Sequence, residues 1–485
     1  MVQNGQHDND TAPARPAEGI GPAEGTGPAG GEISRRDLLK GFGAGAAILG
    51  AGLGSRRLAG DVLASSRPLG DLARGRAAGG GVVKIGYVTP ETGALADFSQ
   101  SDAYVLAKVR AAAAYAKGLK IGGKTYRLEI VPIDSQSSPT RATQVTQQLI
   151  LQNKVDLVVT SSAPETTNPV AVECQQLRTP SLATVVPWES WYAGLGGDPL
   201  KPTKGYEYAA VFFFGMKEFA GTFLPMWQRI QHETHAAKVF AGQFPNDADG
   251  NAFRAGFPPF AEHLGYKFVD GGAYTDGTTN YSSMIEKFKA AGCEFFVNAP
   301  LPPDFNTFWK QAVQAGFKPR LATVAKVLLF PSDVNALGGL VNNIATDAWW
   351  TPYAPYASSL TGESAKSFAI GYQHSTGREW VQSMGSAYSL FEVAVEALAS
   401  VSDPHDKAEV ANALHHVNYR GLCGPIDFAN GPAPGVGIIK PVGIQWRAGQ
   451  ASKDFGQKNP YQPYVVDNSL NKEVPINGDL QPTNG

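Results

Sequence analysis

The chain has 485 residues, of which 43% are hydrophobic, so it is long enough for two or three domains with sizeable cores. Its 41 basic side chains nearly balance 43 acidic ones, which excludes the charge bias typical of nucleic-acid-binding surfaces. Cys174, Cys293 and Cys423 are too few and too far apart for a zinc module or a dense disulfide framework. They are expected to be buried as small hydrophobic residues, or two of them form one disulfide.

Residues 1–81 are predicted to lie outside the folded protein. Residues 1–33 are rich in Gly, Pro and Ala without periodicity, which is typical of disorder. Arg35 and Arg36 then precede a run of small apolar residues, 41–53. Paired arginines before a weakly hydrophobic segment are typical of a twin-arginine export signal. The sequence therefore predicts that the twin-arginine machinery exports the chain.

The same segment contains a glycine motif that does not indicate a cofactor. Residues 41–46 satisfy the pattern G-x-G-x-x-A of dinucleotide-binding proteins. That motif binds pyrophosphate only in the tight turn between a strand and a helix, and no strand precedes it here. No cofactor is expected.

From residue 82, short β-rich runs alternate with helical patterns. This alternation predicts βαβ units and parallel sheets. In the first half, strands are predicted at 82–88, 126–133, 155–160 and 181–186, with helices at 102–117, 139–152 and near 169–177. After a break rich in Gly, Pro and aromatic residues, strands are predicted at 238–241, 266–269, 294–298 and 320–324, with helices at 218–231, 251–264, 282–291 and 304–315.

The fold class expected from this pattern is α/β, with two doubly wound parallel-sheet lobes joined by a hinge. Lobe 1 is expected at 82–210, completed by 345–447, and lobe 2 at 211–344. Within the returning part, 345–350 and the long helix 379–401 are assigned to lobe 1. The polar tail 448–485 is expected to be loosely ordered.

Seven segments in order resemble one family. Residues 84–96, KIGYVTPETGALA, resemble the opening of the periplasmic binding proteins for branched-chain amino acids and related ligands. Six more segments resemble the family in family order: 131–134 (VPID), 157–159 (LVV), 178–182 (RTPSL), 277–282 (GTTNYS), 424–428 (GPIDF) and 445–446 (QW). The resemblance covers about residues 82–447.

The resemblance implies a function as well as a fold. Two lobes would close on a small-molecule ligand, and the closed form would be recognised by the membrane permease of an ABC importer. No enzymatic activity, metal, cofactor or nucleic-acid partner is implied. The protein would act at the periplasmic or extracellular face of the membrane.

The resemblance implies ligand contacts from two loops of the first lobe. Phe98 stands where the family commonly has an aromatic residue, which would lie against an apolar ligand or pack into the core. Ser161, Ser162 and Ala163 stand where the family holds a ligand carboxylate with a hydroxyl and backbone N–H groups. The two serines fit ordinary helix caps equally well.

A third loop departs from the family's small, hydroxyl-bearing pattern. Residues 185–191 read VVPWESW, and Pro187, Trp188, Glu189 and Trp191 are the expected ligand contacts. Two indoles would thus offer stacking surface in place of a hydroxyl that helps to hold a carboxylate.

In the second lobe, the family's acidic partner for a ligand ammonium would fall near Ala325, beside Lys326. Lys326 would favour an anion, or it is an ordinary surface lysine. Asn246 and Asp249 either contact the ligand or belong to a plain strand–helix turn. A small organic anion with an apolar or aromatic body is therefore expected ahead of an amino acid. The amino acid remains the alternative, and Glu189 or Asp249 would then replace the family's missing acid.

Other chemistries fit the sequence less well. His232 and His235 lack the spacing of a zinc protease. Asp247 and Asp249 resemble a calcium loop, but no bidentate Glu follows. No nucleophile elbow or phosphate-binding loop occurs. An exported enzyme and a ligand sensor on the same scaffold are the alternatives.

Overall fold

The computed structural model describes residues 79–449 and 459–483. The chain divides into two units, 1–66 and 67–485, and all described residues belong to the second. Arg35 and Arg36 lie outside the described residues.

The described residues form two large sheets and one small hairpin. The strands are β1 Gly81–Thr89, β2 Leu119–Ile121, β3 Lys124–Asp134, β4 Leu157–Ser161, β5 Ser181–Thr184, β6 Ala209–Phe212, β7 Val239–Gln243, β8 Lys267–Asp270, β9 Phe295–Asn298, β10 Leu321–Val324, β11 Ala345–Ala348, β12 Asn418–Gly421, β13 Gly424–Asp427, β14 Val436–Gly437, β15 Val442–Ala448 and β16 Tyr461–Asp467.

Each large sheet is mostly parallel, as βαβ connections require. The first sheet has the order β14-β6-β5-β4-β1-β3-β2, and only β2 is antiparallel to its neighbour. The second has the order β16-β15-β11-β10-β9-β7-β8, in which β15 and β16 run antiparallel to their neighbours. The expected α/β fold with two parallel-sheet lobes is confirmed.

Helices cover the faces of both sheets. They are α1 Asp102–Ala111, α2 Ala113–Ala116, α3 Pro139–Gln147, α4 Pro164–Gln176, α5 Trp188–Gly194, α6 Met216–Thr234, α7 Ala248–Gly256, α8 Pro258–His263, α9 Ser282–Ala290, α10 Pro302–Gln314, α11 Pro331–Leu337, α12 Ala365–Thr376, α13 Ser383–Ala399 and α14 Lys407–Leu414. A π-helical turn, Gln148–Gln152, extends α3, and Ala96–Ser99 and Gly338–Val341 are 3₁₀ turns.

Two long helices organise the cores. Helix α13 packs against β4 and β5 of the first sheet, and all but two of its 17 residues are buried. Its one buried acid, Glu392, accepts hydrogen bonds from the Leu422 N–H and the Tyr419 hydroxyl, which offsets the cost of its burial. Helix α6 packs against β11 and β15 of the second sheet.

Within the described ranges, the chain passes between the lobes three times. It leaves β6 of the first sheet through 213–215 to reach α6. It returns after β11 to α12 and α13, and crosses again between β14 and β15. At the first crossing, a Cβ on Gly215 would overlap the Trp188 indole and the Glu189 carboxyl, so only glycine fits.

Three expectations require correction. Residues 345–348, assigned to the first lobe, form β11 of the second sheet, because they pair with β10 and β15. Part of the tail expected to be loosely ordered forms β16, an edge strand. Helix α4 begins at Pro164, before the helix predicted near 169–177, because that proline takes the first helical position.

The three cysteines are buried and unpaired. Of the two alternatives left open by their spacing, burial as small hydrophobic residues is therefore the one observed.

Candidate functional site

A cavity of about 30 Å³ lies where the carboxyl ends of strands from both sheets face each other. Ala163, Val185 and Phe213 line it just after β4, β5 and β6 of the first sheet, and Ala299 and Lys326 just after β9 and β10 of the second. The wall is completed by Phe98, Pro187, Phe219, Asp249, Phe253, Ala325, Leu329, Asp347 and Trp349. Ligands of open α/β sheets bind at this end of the strands.

The two lobes touch each other around this cavity. The Phe98 ring of the first lobe meets Phe330 of the second edge-to-face, with 5.1 Å between the ring centroids. The Lys326 Nζ lies 3.5 Å from Glu165 Oε1 across the cleft. A volume of this size holds about two water molecules, so a larger solute must enter while the lobes are apart, before they close around it.

A buried ion cluster forms one wall. The Lys326 Nζ lies 2.7 Å from Asp249 Oδ2, and both side chains are less than 10% exposed. Burial opposes the charge on Lys326, but Asp249, Glu165 and Asp247 together raise its pKa well above the ordinary value. Burial also raises the pKa of Asp249, although Lys326 acts against that rise. The lysine charge is thus already balanced by carboxylates of both lobes.

Two residues of the wall have left-handed backbone conformations. Val185 has φ +64° and Lys326 has φ +66°. This region costs an L-residue about 1–2 kcal/mol, and a β-branched residue rarely adopts it. Each lies one or two residues beyond the end of a strand, β5 or β10, so the strained turn lies at the cleft in both lobes.

Asp347 provides an unpaired carboxyl group in the same wall. It lies on β11, between β10 and β15, and is fully buried. Neither oxygen has a hydrogen-bond partner among the described residues. Burial raises the pKa of Asp347 to about 7. The Asp347 N–H and the Thr346 hydroxyl act to lower this pKa, but neither forms a hydrogen bond of normal geometry with the carboxyl group.

The rest of the wall is mainly aromatic. The Phe213 and Trp349 rings meet edge-to-face at 5.1 Å between centroids, and Phe219 and Phe253 do so at 4.6 Å. The Trp349 indole N–H has no hydrogen-bond partner among the described residues. The cavity therefore suits an apolar ligand body with polar groups at defined points.

The structure brings five of the predicted site residues together. Phe98, Ala163, Pro187, Asp249 and Lys326 all line the cavity. They come from both lobes and from sequence positions up to 228 apart, and their convergence follows from the facing strand ends.

The other predicted residues lie outside the wall. Ser161 and Ser162 are buried, and neither hydroxyl has a hydrogen-bond partner among the described residues. Trp188 and Trp191 turn into the first lobe, where they contact Tyr192 and Tyr206. Helix α5 directs these indoles away from the cavity, so the expected stacking surface comes from other rings.

Glu189 and Asn246 have identifiable structural contacts. Glu189 Oε1 accepts a hydrogen bond of 2.9 Å from the Met216 N–H at the start of α6. Burial raises the pKa of Glu189 to about 7. Asn246 is exposed and its Oδ1 accepts from Asn251 Nδ2, as in an ordinary strand–helix turn.

Sequence reasoning missed Asp347 and the aromatic wall. A usable signal was present, because Asp347 stands inside the otherwise uncharged run 344–350, IATDAWW. A lone acid within a buried strand is rare unless it is paired or has a function. No signal of this kind marks Phe213 or Phe253 among the chain's 24 phenylalanines.

Comparison with known proteins gives a consistent result. A sequence profile described as periplasmic binding protein matches residues 82–435. A leucine-binding protein (LivK) from Thermotoga maritima has a similar structure, with TM-score 0.63 and 16% identity over 80% of this chain and 99% of that one. The isoleucine complex of a branched-chain amino acid transporter binding protein (LivJ) from Streptococcus pneumoniae gives 0.59 and 17%, over 79% and 99%.

A third similar structure has a different kind of ligand. It is a solute-binding protein of an ABC transporter from Rhodopseudomonas palustris, in complex with 3,4-dihydroxybenzoic acid. The TM-score is 0.61 and the identity 14%, over 81% of this chain and 99% of that one. At such identities these structures establish a shared fold.

Two further observations concern the described residues alone. None of their helices combines the length and apolar character needed to cross a membrane. Within the same ranges, no group of three or more His, Cys, Asp or Glu side chains is arranged to hold a metal ion.

Proposed function

Since this chain belongs to the periplasmic binding protein family, we propose that it is the extracytoplasmic solute-binding component of an ABC importer. It captures a small organic solute between its lobes and delivers it to the membrane permease. Its role is binding, without turnover of the solute.

The observation that carries this proposal is the position of the cavity. Both lobes contribute to its wall, and both do so with the carboxyl ends of their strands. A solute there would contact both lobes only when they are together. Its binding energy would therefore favour the closed form, which the permease recognises.

The similar structures support a small organic ligand but differ in its class. Leucine, isoleucine and 3,4-dihydroxybenzoic acid are the compounds named for those relatives. Amino acids and carboxylates are also the two classes expected from the sequence. The common requirement is an apolar body, which the aromatic wall fits.

A ligand screen followed by scattering tests the proposal. We would screen the twenty amino acids and panels of aromatic and aliphatic carboxylates and amines by thermal shift, because a ligand at 100 times its Kd adds about 2.7 kcal/mol of stability. Small-angle X-ray scattering should then show a smaller radius of gyration with a stabilising solute. Chemical conversion of the solute, or binding without contraction, would contradict the proposal.

A variant at the lobe interface sharpens this test. Glu165→Gln removes the ion pair that joins the lobes but leaves the Lys326–Asp249 pair in place. The ligand-free variant should have a larger mean radius of gyration than the wild type. Glu286→Gln is the matched control, because Glu286 pairs with Lys289 on one exposed helix face. Equal radii for Glu165→Gln and the control would argue against a lobe-closing role of this contact.

We also propose export by the twin-arginine pathway. Family membership suggests an extracytoplasmic location, and the paired Arg35 and Arg36 are the residues that favour this route. Replacing both with Lys should leave the protein in the cytoplasm, measured by cell fractionation. Unchanged export of the double variant would contradict this route without affecting the binding function.

A further inference from the structure

Charge in the cavity is distributed unevenly. Three charged side chains line it: Asp249, Lys326 and Asp347. Lys326 is already in contact with Asp249 and Glu165. Asp347 has no cationic partner among the described residues. The wall therefore holds one carboxyl group whose charge no described cation balances.

An unpaired carboxyl group is costly in this position. Asp347 is fully buried in the middle of the second sheet, where removal from water disfavours the ionised form. A structural role would require hydrogen bonds, and neither oxygen has one within the described residues. Perturbed, unsatisfied acids in a cleft are characteristic of functional sites.

The rest of the wall suits a cation and offers little to an anion. Phe213, Phe219, Phe253 and Trp349 provide aromatic faces, which attract ammonium groups. Among the described residues, the wall contains no arginine, hydroxyl or side-chain amide. Lys326 is the one cationic side chain that the described wall offers to a ligand carboxylate, which would compete there with two protein carboxylates.

Building on the solute-binding role proposed above, we propose that the ligand is a small organic cation, a protonated amine on an apolar body without a carboxylate, and that Asp347 is its counter-ion. This reverses the anion expected from the sequence, because that expectation treated Lys326 as a free charge. Asp347 thereby determines specificity, since an ammonium satisfies it and a carboxylate is repelled by it.

Two sets of matched compounds test the proposal. One set is phenethylamine, phenylalanine and 3-phenylpropanoate, and the other is isopentylamine, leucine and 4-methylpentanoate. Within each set the apolar body is constant and only the charged groups change. Titration calorimetry with the full-length protein should show that at least one amine binds at least about tenfold more tightly than its amino acid and its acid.

Two variants assign the effect to Asp347. Asp347→Asn should weaken amine binding at least about tenfold. Asp333→Asn should leave it unchanged, because Asp333 is also buried with an unpartnered oxygen but does not line the cavity. Without ligand at about pH 8, Asp347→Asn should melt no lower than the wild type, since it removes an unpaired buried charge. A structural role would instead lower the melting temperature.

The outcomes separate this inference from the proposed function. Tighter binding of an acid or an amino acid, with contraction of the lobes, sustains the solute-binding role and overturns the amine. Unchanged amine affinity in Asp347→Asn overturns the role of Asp347. Failure of both amines to bind at millimolar concentration also overturns the inference, and failure of every solute in the wider screen contradicts the proposed function itself.

Discussion

Lys326 gives the sharpest test of the electrostatics of the cleft. Lys326→Met keeps an unbranched side chain but leaves Asp249, which is 4% exposed, without its cation. Breaking a buried ion pair on one side costs about 3–5 kcal/mol, because the remaining charge is buried alone. Methionine is preferred to glycine here, because glycine would also relieve the left-handed backbone at this position.

The loss should be measured as the free energy of unfolding in urea at about pH 8. Lys289→Met is the matched control, since its exposed pair with Glu286 is worth at most about 1 kcal/mol. The double variant Lys326→Met/Asp249→Leu should recover most of the loss, because the most deeply buried carboxylate of the cluster is removed together with its cation. A loss no larger than the control's, or additive losses in the double variant, would refute the view that Lys326 is held by carboxylates.

Two other predictions concern stability. Burial raises the pKa of Asp102, Glu189 and Asp347 to about 7 each, so between about pH 4 and pH 7 the folded protein keeps protons that the unfolded chain has lost. The free energy of unfolding should therefore fall as pH rises through this range. A lower melting temperature at about pH 5 than at about pH 8 would contradict the prediction. Trp227→Ala should lower the free energy of unfolding in urea by about 3–5 kcal/mol. The reason is that the fully buried indole stacks on Phe295 and donates a 3.0 Å hydrogen bond to Thr323. A loss below about 1 kcal/mol would contradict the importance of this packing.

The fold was predictable because its signals are local. β-rich runs and helical spacing place 82–88, 282–291 and 294–298 within a residue or two of β1, α9 and β9. Sheet membership was not predictable in the same way. Nothing within 345–348 distinguishes a strand of the first sheet from one of the second, because that choice is made by pairing with β15, about a hundred residues later.

The candidate site was predictable only in part. Loop positions at strand ends identified Phe98, Ala163 and Lys326, because the family resemblance aligns those loops. The state of Lys326 was not accessible, since its partners Glu165 and Asp249 lie 161 and 77 positions away. The sequence also does not show in which direction each side chain of a short helix points. Trp188 and Trp191 of α5 were therefore expected in the cleft, although they pack into the first lobe.

The three passages of the chain between the lobes constrain how the protein can be made. The first sheet is incomplete until β14, at 436–437, has been synthesised, and the second until β16, at 461–467. Neither lobe can therefore finish folding while the ribosome is still translating the middle of the chain, although N-terminal domains of other proteins commonly do so. Both lobes must mature together after synthesis is nearly complete. A ribosome that stalls between residues 348 and 436 would carry a chain in which β6 and β11 lack the strands that normally pair with them, β14 and β15, and such unpaired strands are prone to aggregation.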